Sequence, residues 1–272
     1  MIERARQSGP GGRPLGGRHA VVTGGGRGIG AAVAEELARL GAALTLLGRD
    51  GERLDAHTAA LRERWAIEAA GVPCDVSDES AVAAAFEDAR GRHGAVAVLV
   101  NNAGVAEASA IGETDLELWR RALDVNLTGT FLCTREVADG MVEAGWGRIV
   151  NVASIAGLHG GALLSAYCAS KHGVVGLTRA LARELGRTGV TVNAVCPGYT
   201  DTEMADRAAR NVVAATGREY GKAREILERT LTIGRLVEPA EVGRTGRMAL
   251  LRRGRGRHRK RDPDRRRTRL SR

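Results

Sequence analysis

Apolar and polar positions alternate between two periods along most of the chain. Short runs rich in Val, Leu and Ala occupy residues 19–23, 43–47, 72–74, 96–100, 148–152 and 191–195. Runs of this length, bounded by Gly, Asp or Asn, predict β-strands. The run 96–100 is almost wholly apolar, as a strand covered on both faces requires. Between them the period lengthens. Ile29, Val33, Leu37 and Leu40 recur at helical spacing, and Asp50 is placed to cap a second helix. A third helix is expected from Ser77 or Asp78, and a long helical region over 116–142 with an interruption near 124–126. A strong helix is expected over 166–185, and a weakly patterned helical flap over 203–230. Strand and helix in strict alternation predict an α/β fold with a doubly wound parallel sheet. No internal repeat or linker divides it. The expected organisation is a disordered lead at 1–18, one domain at 19–243 and a basic disordered tail at 244–272.

Composition narrows the class. At 272 residues with 43% hydrophobic content the chain can bury a full core, and no stretch approaches the roughly 20 apolar residues that span a bilayer. The first 18 residues lack the apolar segment of a secretory signal. Cys74, Cys133, Cys168 and Cys196 lie far apart and form no C-x-x-C pair, so neither a metal site nor a disulfide framework is expected. Free thiols in a reducing cytoplasm are the plain reading. The net charge of +9 suggests nucleic acid until it is located. Residues 244–272 carry +12, leaving −3 on the other 243. The body is mildly acidic, which argues against a nucleic-acid-binding face on it.

The strongest chemical signal is the turn after the first strand, Thr23-Gly24-Gly25-Gly26-Arg27-Gly28-Ile29-Gly30. Glycines between a strand and a helix let the backbone approach a pyrophosphate, and the helix N-terminus favours its charge. This T-G-x-x-x-G-x-G spacing resembles the cofactor loop of the short-chain dehydrogenases/reductases. Further motifs follow in that family's order. Asn101-Asn102-Ala103-Gly104 is similar to its N-N-A-G segment beside the cofactor cleft, and Asn126, Ser154, Tyr167 and Lys171 match its catalytic tetrad. Pro197-Gly198 with Thr200 and Thr202 resembles the P-G-x-x-x-T segment beside the nicotinamide. The resemblance covers roughly residues 19–242 and implies a single-domain Rossmann-type fold.

Tyr167 and Lys171, four residues apart, share one helical face. A phenol near its reference pKa of about 10 exchanges protons poorly at neutral pH, and a nearby ammonium should lower it. The resemblance implies that Tyr167 is the proton donor and that Lys171 also binds the nicotinamide ribose. It implies that Ser154 hydrogen-bonds the substrate carbonyl, and that Asn126 holds a water linking Lys171 to solvent. Asp75 and Val76, after the third strand, would meet the adenine. Arg27 and Arg49 stand where an adenosine 2′-phosphate would lie, and Gly48-Arg49 offers no acidic residue for free ribose hydroxyls. NADP(H) is therefore the expected cofactor, with Asp50 serving the next helix as cap.

Tyr167 to Gly176 and Thr191 to Gly198 resemble bacterial β-ketoacyl (acyl-carrier-protein) reductases, and especially aromatic polyketide synthase ketoreductases. The implied activity is reduction of a small-molecule or carrier-protein-bound β-ketone to a hydroxyl, by a homodimer or homotetramer. Residues 105–109 depart from a Gly-rich segment that several polyketide ketoreductases carry there. Other NAD(P)-dependent short-chain alcohol or hydroxyacyl-CoA dehydrogenases use the same residues, so these stand as the alternative. A non-catalytic nucleotide-binding protein whose tail binds nucleic acid is a further one. The family continues after a segment like 238–242 with an Ala-rich helix and a last strand. Residues 244–272 offer no alternation for that strand, and are either a genuine basic extension or the product of a reading-frame shift.

Overall fold

The computed structural model describes residues 12–251. Six runs form one parallel sheet, β1 (His19–Thr23), β2 (Ala43–Gly48), β3 (Ala69–Pro73), β4 (Val96–Asn101), β5 (Gly147–Val152) and β6 (Val190–Val195), in the order β3-β2-β1-β4-β5-β6. Parallel strands need crossovers, and helices supply them. These are α1 (Gly28–Arg39), α2 (Gly51–Trp65), α3 (Glu79–His93), α4 (Leu116–Leu123), α5 (Gly129–Glu143) and α6 (Ser165–Glu184). Three more follow β6, α7 (Glu203–Thr216), α8 (Tyr220–Arg229) and α9 (Pro239–Leu251).

Strand periodicity divides the core. Val21, Leu99, Ile149 and Val192 lie in register across four strands and face α3 and α5, packing with Phe86, Leu132 and Met141. Their neighbours Val22, Val100 and Val150 face the opposite way, against Val33 and Leu37 of α1, Leu54 of α2 and Leu250 of α9. Both sheet faces are thus covered, which is why the strands read as apolar runs. The order reverses at β1, whose neighbours are β2 and β4. Above such a reversal the strand ends open a crevice.

The expected doubly wound α/β fold is present, with most boundaries within a residue or two. The third strand starts earlier than residue 72, because β2 pairs with it from Leu44↔Ala69 to Gly48↔Pro73 and recruits Ala69, Ala70 and Gly71, which carry no strand pattern. The interruption near 124–126 is a π-turn over Asp124–Thr128. The flap over 203–230 is two helices with a small cluster of their own, including Ala209, Ala223 and Leu227.

Two expected boundaries are corrected. Residues 12–18 are not a structureless lead. Leu15 is buried, its N–H bonds to Leu40 O at 2.9 Å, and Arg13 Nη1 donates to Trp65 O. Nor does the domain end at 243, since α9 continues to Leu251. Val242, Gly246 and Leu250, spaced four apart, put one face of α9 on the sheet and α1. A Cβ at Gly243 would lie 2.8 Å from Ala32 O, so this contact needs glycine. The rest of the expected lead and tail, with the question of a last strand, lies outside the described residues.

Candidate active site

β1 ends at Thr23, and the chain turns through Gly24 and Gly28, whose φ values of +64° and +53° suit glycine. Gly30 is fixed by space, because a Cβ there would sit 2.1 Å from Gly24 O. α1 starts at Gly28, so its unpaired N–H groups and positive dipole end lie at the turn. The turn is clamped to the end of β4. Thr23 Oγ1 accepts from Asn102 N at 2.9 Å and Ala103 N at 3.0 Å, while Asn102 Nδ2 donates to Thr23 O and Gly24 O. Thr23 and Gly30 therefore act from behind. Gly24, Gly26, Gly28 and Ile29 line one cleft of about 1310 Å³, with Asn102, Ala103 and Gly104 beside them. This cradle of glycines at a helix N-terminus fits a dinucleotide.

The cleft's far end is cationic. Arg49 follows β2 and lines it, and its charge adds to the Ser77 hydrogen bond in holding the Asp75 carboxyl below its ordinary value. Asp50 accepts from Arg53 N at 3.1 Å and caps α2, the role expected of it. Arg27, also expected to be open to a phosphate, instead pairs with Glu203 at the start of α7, and Arg53 Nη1 donates to the same carboxylate at 2.7 Å. These pairs hold the Glu203 carboxyl below its ordinary range, Arg53 contributing first. Sequence reading passed over Arg53 and Glu203, although one is a turn of helix beyond Arg49 and the other adjoins Thr202. Val76 lines the cleft, whereas Asp75 turns aside and accepts from Ser77 N at 3.0 Å and Ser77 Oγ at 2.6 Å.

At the other end β5, α6 and the segment after β6 converge. Ser154, Tyr167 and Lys171 line the cleft together, flanked by Pro197, Gly198, Thr200 and Thr202. Ser154 follows β5, and its Oγ accepts from Ala156 N at 3.1 Å, which fixes the hydroxyl at the rim. Lys171 is buried, and its Nζ donates to Val152 O at 2.9 Å. Burial pushes its pKa down to about 8, opposed by nearby Cys196.

The expectation that Lys171 lowers the Tyr167 pKa is corrected. The phenol is raised above its ordinary value, first by burial, while the Ser154 hydroxyl pulls it down. Lys171 Nζ lies 5.9 Å from the Tyr167 ring centre and is committed to Val152, so desolvation outweighs its charge. Asn126 also differs from expectation. Fully buried in the π-turn, it accepts from Val105 N at 2.8 Å through Oδ1, and its Nδ2 donates to Val105 O and Ser170 Oγ. Its carbonyl accepts from Thr130 Oγ1 at 2.8 Å. The side chain is spent on tying the loop after Gly104 to α6.

A family model described as short chain dehydrogenase matches residues 18–212. A Streptomyces violaceoruber protein named as a ketoacyl reductase of the granaticin polyketide synthase is 44% identical over 225 residues, 82% of each chain. A 3-oxoacyl-[acyl-carrier-protein] reductase of Aquifex aeolicus is 38% identical over 70% of this chain and 77% of its own. The crystal structure of a variant actinorhodin polyketide ketoreductase with NADPH superposes with a TM-score of 0.82 at 40% identity. It covers 86% of this chain and 90% of that one.

Proposed function

The chain belongs to the short-chain dehydrogenase family, and on that premise we propose that it is an NADPH-dependent ketoreductase. Its substrate is a β-ketoacyl thioester or polyketide, whose ketone becomes a hydroxyl. The reading is supported above all by one arrangement: Ser154, Tyr167 and Lys171 line the same cleft as a glycine cradle and an arginine-rich end. Relatives named for ketoacyl reduction at 38–44% identity give it further support.

In this proposal Gly24, Gly26, Gly28 and Ile29 receive the pyrophosphate, and Arg27, Arg49 and Arg53 the 2′-phosphate. Val76 flanks the adenine, while Asp75, turned aside, braces the turn through Ser77. Asn102 to Gly104, Pro197, Gly198, Thr200 and Thr202 border the nicotinamide. When bound, NADPH supplies hydride to the ketone carbon. Ser154 Oγ–H donates to the ketone oxygen and stabilises charge as it develops there. Tyr167 gives that oxygen its proton, a transfer the raised phenol pKa keeps available across neutral pH. Lys171 holds the nicotinamide ribose and draws charge toward the phenol. Asn126 fixes the loop beneath.

The substrate mouth is apolar on one side, where the cleft-lining Ile155 and Leu163 are exposed, consistent with an acyl or polyketide chain. Self-association as a dimer or tetramer belongs to the same proposal, supported by exposed Leu116 and Phe131 on α4 and α5. No described helix is long and apolar enough to cross a membrane. The test is turnover of carrier-bound β-ketoacyl, CoA-bound β-ketoacyl and simple ketone substrates with each cofactor. β-Ketoacyl reduction with NADPH is expected. Inactivity toward every ketone would sink the proposal, and a clear NADH preference would remove the role given to the arginines.

A further inference from the structure

Glu203 is the first residue of α7, yet its carboxylate reaches back across the cleft to the cofactor loop. Oε2 pairs with Arg27, the residue before α1, and Oε1 accepts from Arg53 in the first turn of α2 at 2.7 Å. Arg53 Nε also lies 3.0 Å from Asp50 Oδ2. One carboxylate thus joins the Gly-rich turn, the helix after β2 and the start of the flap. All three side chains are about half exposed, at 51%, 48% and 46%. An exposed ion pair adds little to stability, so this cluster matters through where it sits. It holds Arg27 and Arg53, two of the four arginines that line the cleft, with Arg207 on α7 acting on the same carboxylate and Arg49 outside the cluster.

We propose that Glu203 is an internal counter-anion that sets the cofactor preference and ties the flap to the cofactor loop. The inference rests on the NADPH reading above. Arg27 and Arg53 stay paired with Glu203 until the cofactor's 2′-phosphate shares or takes their guanidinium groups. The carboxylate opposes that dianion at short range, which moderates NADPH affinity while leaving NADH, which lacks the phosphate, almost untouched. As the arginines turn to the phosphate, the first turn of α7 loses its tether. Binding at the adenosine end thereby reaches the helix that carries Met204 and Ala208 along the cleft wall.

Glu203→Gln keeps the shape and removes the charge. Equilibrium titration of wild type and variant with NADPH and with NADH reads the effect without turnover. At low ionic strength the variant should bind NADPH about three- to tenfold more tightly, a gain that shrinks with added salt. NADH affinity should move less than about twofold. In the nucleotide-free variant, amide exchange should quicken from Asp206, the first bonded amide of α7, through the turn that follows it. An unchanged or lower ratio of NADPH to NADH affinity in the variant would overturn the proposal. The wild-type ratio judges the NADPH reading separately: a protein that binds both cofactors alike refutes that reading whatever Glu203→Gln does.

Discussion

Tyr167 and Lys171 share a helical face, and burial drives both toward their neutral forms, the phenol upward and the ammonium down to about 8. The shared face of Tyr167 and Lys171 was legible because side chains four apart on a helix lie one above the other, whereas Ser154, beyond β5, was offered only by its motif. The direction of the Tyr167 shift was not legible, because desolvation depends on neighbours distant in sequence, and Val152 O captures the Lys171 ammonium. The ion cluster at Glu203 was hidden for the same reason: Arg27 and Glu203 are 176 residues apart. Lys171 titrating near 8 has a kinetic consequence. Below that pH it is an ammonium that assists Tyr167, and above it a neutral amine. We expect kcat/KM for ketone reduction to fall as pH rises through about 8. Lys171→Arg, which stays charged, should lose that limb while lowering the rate. A flat wild-type profile between about pH 7 and 9 would contradict this.

At the scale of elements, the strand–turn–helix after β1 works because it is pinned to the end of β4. Thr23 carries that joint, accepting two backbone N–H groups that have no strand partner. Thr23→Val matches its shape and removes the acceptor. We expect a loss of about 2 kcal/mol in urea unfolding, since buried donors are left unpaired, together with weaker NADPH binding. Unchanged unfolding would show that Asn102 alone holds the joint. The strands were legible from their apolar runs, and Asp50 as a cap from its place before helical periodicity, while the choice of Asp78 over Ser77 at the head of α3 came from the structure. Two features were not legible. β3 begins in residues with little strand preference because β2 offers a parallel edge, and α9 runs into an arginine-rich stretch because its small and apolar face docks on α1.

Across the whole molecule, the cleft lies at one end of the sheet and a buried histidine pair at the other. His19 Nδ1 lies 2.9 Å from Gly94 O and Nε2 2.9 Å from Thr45 Oγ1, a set the neutral ring satisfies by donating at one nitrogen and accepting at the other. Burial lowers its pKa to about 4, with nearby His93 adding repulsion. In the unfolded chain the value returns to about 6.5. The unfolded state therefore binds more protons between about 4 and 6.5, so stability is full above that window and lost as pH falls through it. The loss should reach roughly 3 kcal/mol. His19→Gln should flatten the pH dependence of urea unfolding there, and an unaltered slope would assign it to other groups. Global charge was legible only in part. The sequence located +12 in the last 29 residues, but composition alone hid that 244–251 belong to α9.

The most direct measurement compares wild type with Tyr167→Phe for NADPH-dependent reduction of a carrier-bound β-ketoacyl substrate, with NADPH affinity measured on both. The proposed mechanism requires that the variant bind NADPH within about threefold of wild type while kcat falls by at least about 100-fold, the range for loss of a general acid. Reduction at an undiminished rate would show that the proton reaches the ketone oxygen by another route, and would contradict the site described above.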